Sequence, residues 1–250
     1  MFDDRAVSEV LGYIIIFGIV ITSVLLLSAS GTTTLEEIRE NEQASNAQRA
    51  LDVLAENIAS IYERNSPSRA TEIDLGEFQL FYDDTTEIEV EVRDGSGNVE
   101  QFEHEARPIV LRSSDTTELV YEAGATFQTE REGGVMLRQP PFLISEARVN
   151  IPIVSTTAKT VEAVSGTSAL MRGQSTNREV LYDPTTLNDP DELHLNITSP
   201  RAEIWERNLD KETPLNCDIP SGTQTVECMT SSPPEDIYVT LQEIELDILL

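Results

Sequence analysis

The longest apolar stretch of the chain runs from Val10 to Ala29 and contains no charged residue and no proline. A helix of this length, at ~1.5 Å per residue, covers ~30 Å, the thickness of the hydrocarbon core of a bilayer. The pattern therefore predicts a transmembrane helix. Gly12 and Gly18 lie within it, and they are the candidate helix-packing residues because small residues let helices approach each other closely. A secretory signal peptide, removed after Ala29, is the alternative interpretation.

An amphipathic helix is predicted after the apolar stretch. From Leu35 to Arg64 apolar residues recur with the helical period, and Glu, Asn, Gln and Arg fill the opposite side. We expect a break or bend at Gly31 and an end at Ser66-Pro67, since proline cannot continue a helix. The apolar positions are Leu35, Ile38, Ala47, Leu51, Leu54, Ile58 and Ile61.

After this second helix the apolar positions recur every second residue, as in a β-strand. The clearest case is Glu87 to Val92, where Ile88, Val90 and Val92 share one face and glutamates the other. The segment Asp94 to Asn98 then predicts a hairpin turn rather than a calcium loop, whose closing acidic ligand is missing. Further short strands are predicted at Ile109 to Arg112, Glu118 to Glu122, Ala125 to Thr129, Val135 to Leu137, Phe142 to Pro152 and Glu179 to Tyr182.

Two elements are predicted near the C-terminus. Ser199-Pro200 provides a cap and a first-turn proline for a short helix at Arg201 to Arg207. The last stretch alternates in one phase and then in the other, a shift that a β-bulge would allow. The apolar residues of the two phases are Ile237, Val239 and Leu241, then Ile244, Leu246 and Ile248.

The chain is strongly acidic, with 45 Asp and Glu against 17 Lys and Arg and a formal net charge of −28. Such a surface repels phosphate backbones, which excludes nucleic acid as a partner. Apolar residues make up 39% of the chain and fall in periodic runs, which favours a packed core over global disorder. The excess of carboxylates over lysines resembles proteins of salt-accumulating archaea and implies a halophilic source.

Three residues are candidates for covalent modification. Cys217 and Cys228, with ten residues between them, suit a local disulfide and match no zinc pattern; two unpaired thiols are the alternative. A disulfide would place this region outside the cytoplasm. Asn196 begins the sequon Asn-Ile-Thr and is the candidate N-glycosylation site, although short sequons also arise by chance.

Enzymatic chemistry finds no support in the sequence. His104 and His194 are its two histidines, and there is no zinc-binding H-E-x-x-H, phosphate loop, dinucleotide fingerprint or G-x-S-x-G elbow. We therefore predict that the protein is not an enzyme and has no catalytic residue, metal site or cofactor.

The segment Arg5 to Gly12 (RAVSEVLG), followed by the apolar run, resembles the processing region of archaeal type IV pilins. The resemblance implies that a prepilin peptidase cuts near Ala6 and Val7, with Arg5 in the leader, and that the helix stays on the mature protein. It also implies that Glu9 sets the registry between subunits by pairing with a neighbour's new N-terminal amine. The alternative for Glu9 is a solvated residue at the level of the lipid headgroups.

Four further segments, SPSRATEI, ELVYEAGA, GGVMLRQPPF and SPRAEIWER, begin at Ser66, Glu118, Gly133 and Ser199. Their order resembles an uncharacterised haloarchaeal family of pilin-like membrane proteins. Patterns and resemblance together predict an α+β fold class, with a long N-terminal helix, transmembrane and then amphipathic, before an antiparallel β-rich sandwich-like domain. The expected domains are a leader at 1–6, a transmembrane helix at 7–31, an amphipathic helix at 32–66 and an extracellular β-rich domain at 67–250.

The first functional hypothesis is a pilin-like structural or adhesion subunit, whose partners are the membrane, a prepilin peptidase and other pilin-like subunits. It places the N-terminus in the cytoplasm and the C-terminal domain outside the cell. The second is a single-pass, membrane-anchored binding module that forms no filament. The third, an anchored hydrolase, would need a catalytic pocket that no motif indicates.

Overall fold

The computed structural model describes residues 4–113, 117–131, 133–159, 163–186 and 190–249. The chain divides into two compact units, Met1–Ser45 and Asn46–Leu250. The described helices are α1 (Asp4–Arg64) and α2 (Ala202–Glu212). The described strands are β1 (Ser68–Asp74), β2 (Gln79–Tyr82), β3 (Thr86–Asp94), β4 (Val99–Ala106), β5 (Ile109–Arg112), β6 (Glu118–Glu122), β7 (Ala125–Glu130), β8 (Gly133–Arg138), β9 (Leu143–Ile144), β10 (Arg148–Ala158), β11 (Ala163–Ser165), β12 (Ser168–Tyr182), β13 (Pro190–Thr198), β14 (Leu215–Asp218), β15 (Thr225–Thr230) and β16 (Asp236–Leu249).

These strands form three sheets. Sheet A has the order β1-β12-β16-β10-β9, sheet B the order β11-β2-β5-β6-β7-β8, and sheet C the order β14-β15-β13-β3-β4. The described neighbours in each sheet run antiparallel, except that Arg148–Ala158 of β10 runs parallel to Asp236–Leu246 of β16. Sheet A therefore combines both pairing types.

The predicted fold class was wrong. Among the residues that the structure describes, no helix is found that is both long enough and apolar enough to cross a membrane. Strands dominate the chain, so it is mainly β rather than α+β. The sheets were also expected to be purely antiparallel, whereas β10 and β16 pair in parallel. Alternation of apolar residues shows which side of a strand is buried, but it does not show the direction of the neighbouring strand.

The second part of α1 buries one side, as the periodicity predicted. Ala47, Leu51, Leu54, Ile58 and Ile61 are each at most 2% exposed. The side chains of the two earlier apolar positions lie outside the described part of the structure. Of the predicted break or bend at Gly31, the break was wrong, because the helix is continuous through residue 31.

The end of α1 lies where Ser66-Pro67 predicted it. The helix stops at Arg64, and the next residue, Asn65, takes a left-handed conformation with φ of 57°. Arg178 of β12 donates from Nη2 to the carbonyl oxygen of Ile61 at 2.9 Å. A cation at this position satisfies a free carbonyl group and complements the negative end of the helix dipole.

The predicted β3–β4 hairpin is confirmed. Ile88, Val90 and Val92 are fully buried, and the turn is closed by a hydrogen bond from the amide of Asp94 to the carbonyl oxygen of Asn98 at 3.1 Å. The predicted single strand from Phe142 to Pro152 was wrong. Ser145 accepts a hydrogen bond from the amide of Arg148 at 3.1 Å, and this turn separates β9 from β10.

Strand β16 explains the shift of apolar phase near the C-terminus. Its first apolar residues, up to Leu241, belong to a core shared with sheet C and α2, and those from Ile244 onward belong to a second core shared with α1. The pairing of β16 with β10 is continuous through this point, with Ile153 opposite Leu241 and Thr156 opposite Ile244. The pairing of β16 with β12, in contrast, has a register shift between Ser175 and Asn177, opposite Ile244 and Glu243, so the predicted irregularity is present on that side of the strand. The strand changes phase because its buried face changes from one side of sheet A to the other.

Candidate functional site

The first candidate site is the apolar segment of α1 within the N-terminal unit. Large apolar side chains from Leu11 to Leu26 are between 41% and 77% exposed. The hydroxyl groups of two residues in this segment bond to the helix backbone, because Thr22 donates to the carbonyl oxygen of Gly18 at 2.7 Å and Ser23 to that of Ile19 at 2.8 Å. Apart from the hydroxyl group of Tyr13, the outward surface of the segment is therefore apolar on all sides.

The two predicted packing glycines do not lie on one face of this helix. Gly12 and Gly18 are six residues apart, which corresponds to about 240° around an α-helix. A methyl group added at either glycine would meet no atom within 4 Å. Each glycine can therefore admit a close neighbour, but on a different side of the helix.

The predicted processing and registry residues lie near the start of α1. Arg5, Ala6, Val7 and Glu9 have helical backbone, and their side chains lie outside the described part of the structure. Their roles stay predictions.

The second candidate site is a buried polar junction between sheet B and α2. Glu122, the last residue of β6, is fully buried, and Arg201, the residue before α2, is 5% exposed. The guanidinium of Arg201 donates from Nε to Glu122 and from Nη1 to Asp83, the latter at 2.9 Å. Trp205 donates from Nε1 to the other oxygen of Glu122 at 2.8 Å. Both carboxylate oxygens of Glu122 are therefore occupied by donors from the α2 region.

The electrostatics of the junction favour the charged pair. Burial alone lowers the pKa of Arg201, but the carboxylates of Glu122 and Asp83 outweigh that effect, so the pKa lies above its ordinary value. A buried charge is tolerated when it is paired and hydrogen-bonded in this way. We infer that the junction holds α2 against sheet B.

Three of the four segments on which the family resemblance rests, those that begin at Glu118, Gly133 and Ser199, meet at this junction. Trp205 lies between two aromatic rings, 5.3 Å from Phe127 and 6.3 Å from Phe142 between ring centroids. Ala123 and Gly124 form the two-residue turn between β6 and β7, both with positive φ. The glycine is required there, because an added Cβ would lie 2.6 Å from Cδ of Pro141. Sequence reasoning missed the junction because no motif links residue 122 to a residue about eighty positions later.

The profile of one protein family covers both candidate sites. This family is described as a family of unknown function, DUF7289, and its profile matches residues 5–247. The chain belongs to this family. No curated protein matches the sequence. The predicted membership of an uncharacterised family is thus confirmed.

The outer face of sheet C in this DUF7289 chain carries a row of carboxylates. Glu103, Glu89, Asn196, Glu227 and Asp218 lie opposite one another across the five strands. The amide nitrogen of the asparagine donates to Glu89 at 3.1 Å. A glycan on Asn196 would replace one of the two hydrogens on this nitrogen, and glycosylation stays a prediction. Among the described residues, no group of three or more His, Cys, Asp or Glu could hold a metal ion.

The predicted disulfide is confirmed. Cys217 of β14 and Cys228 of β15 are directly opposed and bonded, with their Cα atoms 4.1 Å apart. The bond joins the edge strand of sheet C to its neighbour, and Cys228 belongs to the core beneath the sheet.

Glu87 lies among several other carboxylates on sheet C. Its pKa is raised above the ordinary value, first by burial and then by the carboxylates of Glu103, Glu89 and Glu105. Glu105 lies directly opposite Glu87 in the β3–β4 pair, and like charges in that position destabilise a sheet.

We expect Glu87→Gln to be more stable than the parent at neutral pH and equally stable in acid. Because the folded-state pKa is raised, the charged carboxylate lowers stability above that pKa. Below the unfolded pKa of about 4.3 the group is protonated in both states and the difference disappears. Urea midpoints measured from about pH 4 to about pH 7 test this expectation, and added salt should reduce the difference.

A matched control is Glu91→Gln in the same strand. The Glu91 carboxylate forms an ion pair with Arg93, so its removal should bring no gain at neutral pH. An increase in stability for Glu87→Gln that is the same at every pH would contradict the explanation by charge repulsion.

Proposed function

We propose that this DUF7289 chain is a structural subunit of a surface filament of the archaeal type IV pilin kind. In the filament, the apolar segments of several copies pack together and the β-rich units carry the outer surface. The observation that supports the proposal most directly is the exposure of apolar side chains from Leu11 to Leu26. Exposed apolar surface of this extent marks a site of association.

Further copies of the same segment are the partners that fit this apolar surface best. A helix that is apolar on all sides needs neighbours on all sides, which a single docked partner cannot provide. Several parallel copies can surround one another, and Gly12 and Gly18 offer close approach on two different sides. Repeated packing of identical helices builds a filament rather than a closed dimer.

Processing by a prepilin peptidase belongs to the same proposal. Cleavage between Ala6 and Val7 leaves a new amine two residues before Glu9. The carboxylate of Glu9 on one copy pairs with the new amine of another copy and sets their registry. The disulfide supports a position of the β-rich unit outside the cytoplasm, where such bonds persist.

The test of assembly is the variant Gly18→Asp. A buried charge between packed apolar helices has no partner, so incorporation into filaments should fall at least about tenfold, equivalent to ~1.4 kcal/mol. The measurement is the amount of protein in the sheared filament fraction relative to total protein. The matched control is Val99→Asp, which adds the same charge at an apolar position of β4 that is 49% exposed. Unchanged incorporation of Gly18→Asp would refute the proposal.

The N-terminal peptide of the same fraction tests the processing step. Mass spectrometry should find a start at Val7 in cells with the prepilin peptidase and not in cells without it. An intact Met1 in both would contradict processing and favour a surface-binding module that does not assemble. A start beyond Ala29 would mean secretion.

A further inference from the structure

A shallow groove of about 620 Å³ lies on the outer face of sheet A, within the β-rich unit. Asn150 of β10 lies opposite both Leu143 of β9 and Tyr238 of β16, so the three side chains form one row across three strands. Leu143 is 68% exposed and Tyr238 is 37% exposed. Thr240, two residues further along β16, extends the floor of the groove.

The polar groups in the floor of the groove are not used by the fold. Within the described residues, the side chains of Asn150, Tyr238 and Thr240 have no hydrogen-bond partner. These groups together offer one amide and two hydroxyls beside an aromatic ring. A ligand that fits them needs apolar surface for the ring and hydroxyl or carbonyl groups for the amide and hydroxyls.

The groove is electrically neutral although the chain is very acidic. Its lining contains no Asp or Glu. Arg148 provides the cation at its end, and its guanidinium donates to Asp236 from Nη2 at 2.9 Å. Because Asp236 balances this cation, the groove carries no net charge that would favour an ionic ligand. The row of carboxylates lies on a different sheet, sheet C.

We propose that this groove binds a neutral oligosaccharide. A pyranose ring presents C–H groups on one face, which pack on Tyr238 and Leu143, and hydroxyl groups at its edge, which reach Asn150 and Thr240. The volume lies within the range of small-molecule sites, about 300–1,000 Å³. The site gives the β-rich unit an adhesive role, and sugar binding itself does not depend on filament assembly.

The experiment is calorimetric titration of the full chain with linear oligomers of glucose, mannose and N-acetylglucosamine. At least one should bind with a Kd of about 1 mM or tighter. Tyr238→Ala should weaken that binding at least about tenfold, whereas Tyr238→Phe, which keeps the ring, should retain most of it. Absence of binding by all three oligomers at about 10 mM, or equal binding by Tyr238→Ala, would overturn the proposal.

Two controls separate this site from other effects. Met229→Ala removes an apolar side chain that is 45% exposed on sheet C, and it should leave sugar binding unchanged. Gly18→Asp should lose filament incorporation but keep sugar binding, and Tyr238→Ala should show the reverse. The result that would refute sugar binding in the groove is therefore different from the result that would refute filament assembly.

Discussion

Replacement of Glu122 by alanine is expected to lower the free energy of unfolding by about 3–5 kcal/mol. The side chain is fully buried, and its two oxygens accept from Arg201 and from the indole of Trp205. Without it, a guanidinium that is 5% exposed keeps only Asp83 as a charged partner, and a buried indole N–H loses its acceptor. The measurement is the denaturant midpoint with the slope of the transition held constant.

The matched control is Glu118→Ala, at the other end of strand β6. Glu118 also pairs with an arginine, Arg112, but their side chains are 22% and 48% exposed. An exposed pair of this kind contributes about 0–1 kcal/mol, so the control should be nearly neutral. Equal losses of unfolding free energy in both variants would show that the buried ion pair contributes no more to stability than the exposed one. In that case α2 would be held mainly by the packing of Trp205 and its aromatic neighbours.

The parts of the fold that were predictable are those where one side of an element is buried along its whole length. Ile88, Val90 and Val92 alternate with glutamates because β3 has one face toward the core and one toward water. The buried side of α1 from Ala47 to Ile61 follows the helical period for the same reason. In these segments local periodicity and tertiary burial agree.

Other features depend on which elements meet, and periodicity carries no such information. The change of buried face along β16 looks like a bulge in the sequence, because both produce the same shift of phase between Leu241 and Ile244. The parallel pairing of β10 with β16 joins residues about ninety positions apart. Glu122 likewise resembles one more surface acid in a chain with 45 of them. Its burial becomes visible only when Arg201 is placed beside it.

Some of the candidate sites could likewise be predicted from the sequence, and others could not. The apolar segment was evident from composition alone, and so was the pair of cysteines. The groove around Tyr238 was not, because its residues come from three strands and none belongs to a motif. An exposed tyrosine on a strand becomes informative only when a neighbouring strand places an unused amide beside it.

Loss of the disulfide is expected to lower the free energy of unfolding by about 3 kcal/mol. The bond closes a loop with a sequence separation of 11, and it ties β14, a four-residue edge strand, to β15. The double variant Cys217→Ala, Cys228→Ala should therefore unfold at a lower denaturant concentration than the oxidised parent. β14 is an edge strand of only four residues, so the loss should begin in sheet C.

The parent supplies its own control for this prediction. A thiol reductant should lower its midpoint to about that of the double variant and leave the double variant unchanged. Hydrogen exchange should show faster exchange of the β14 and β15 amides before global unfolding, while amides of sheet A keep their protection. A midpoint that does not respond to the reductant would contradict the prediction, and it would mean that the pairing with β15 and the burial of Leu215 already hold the edge strand without the bond.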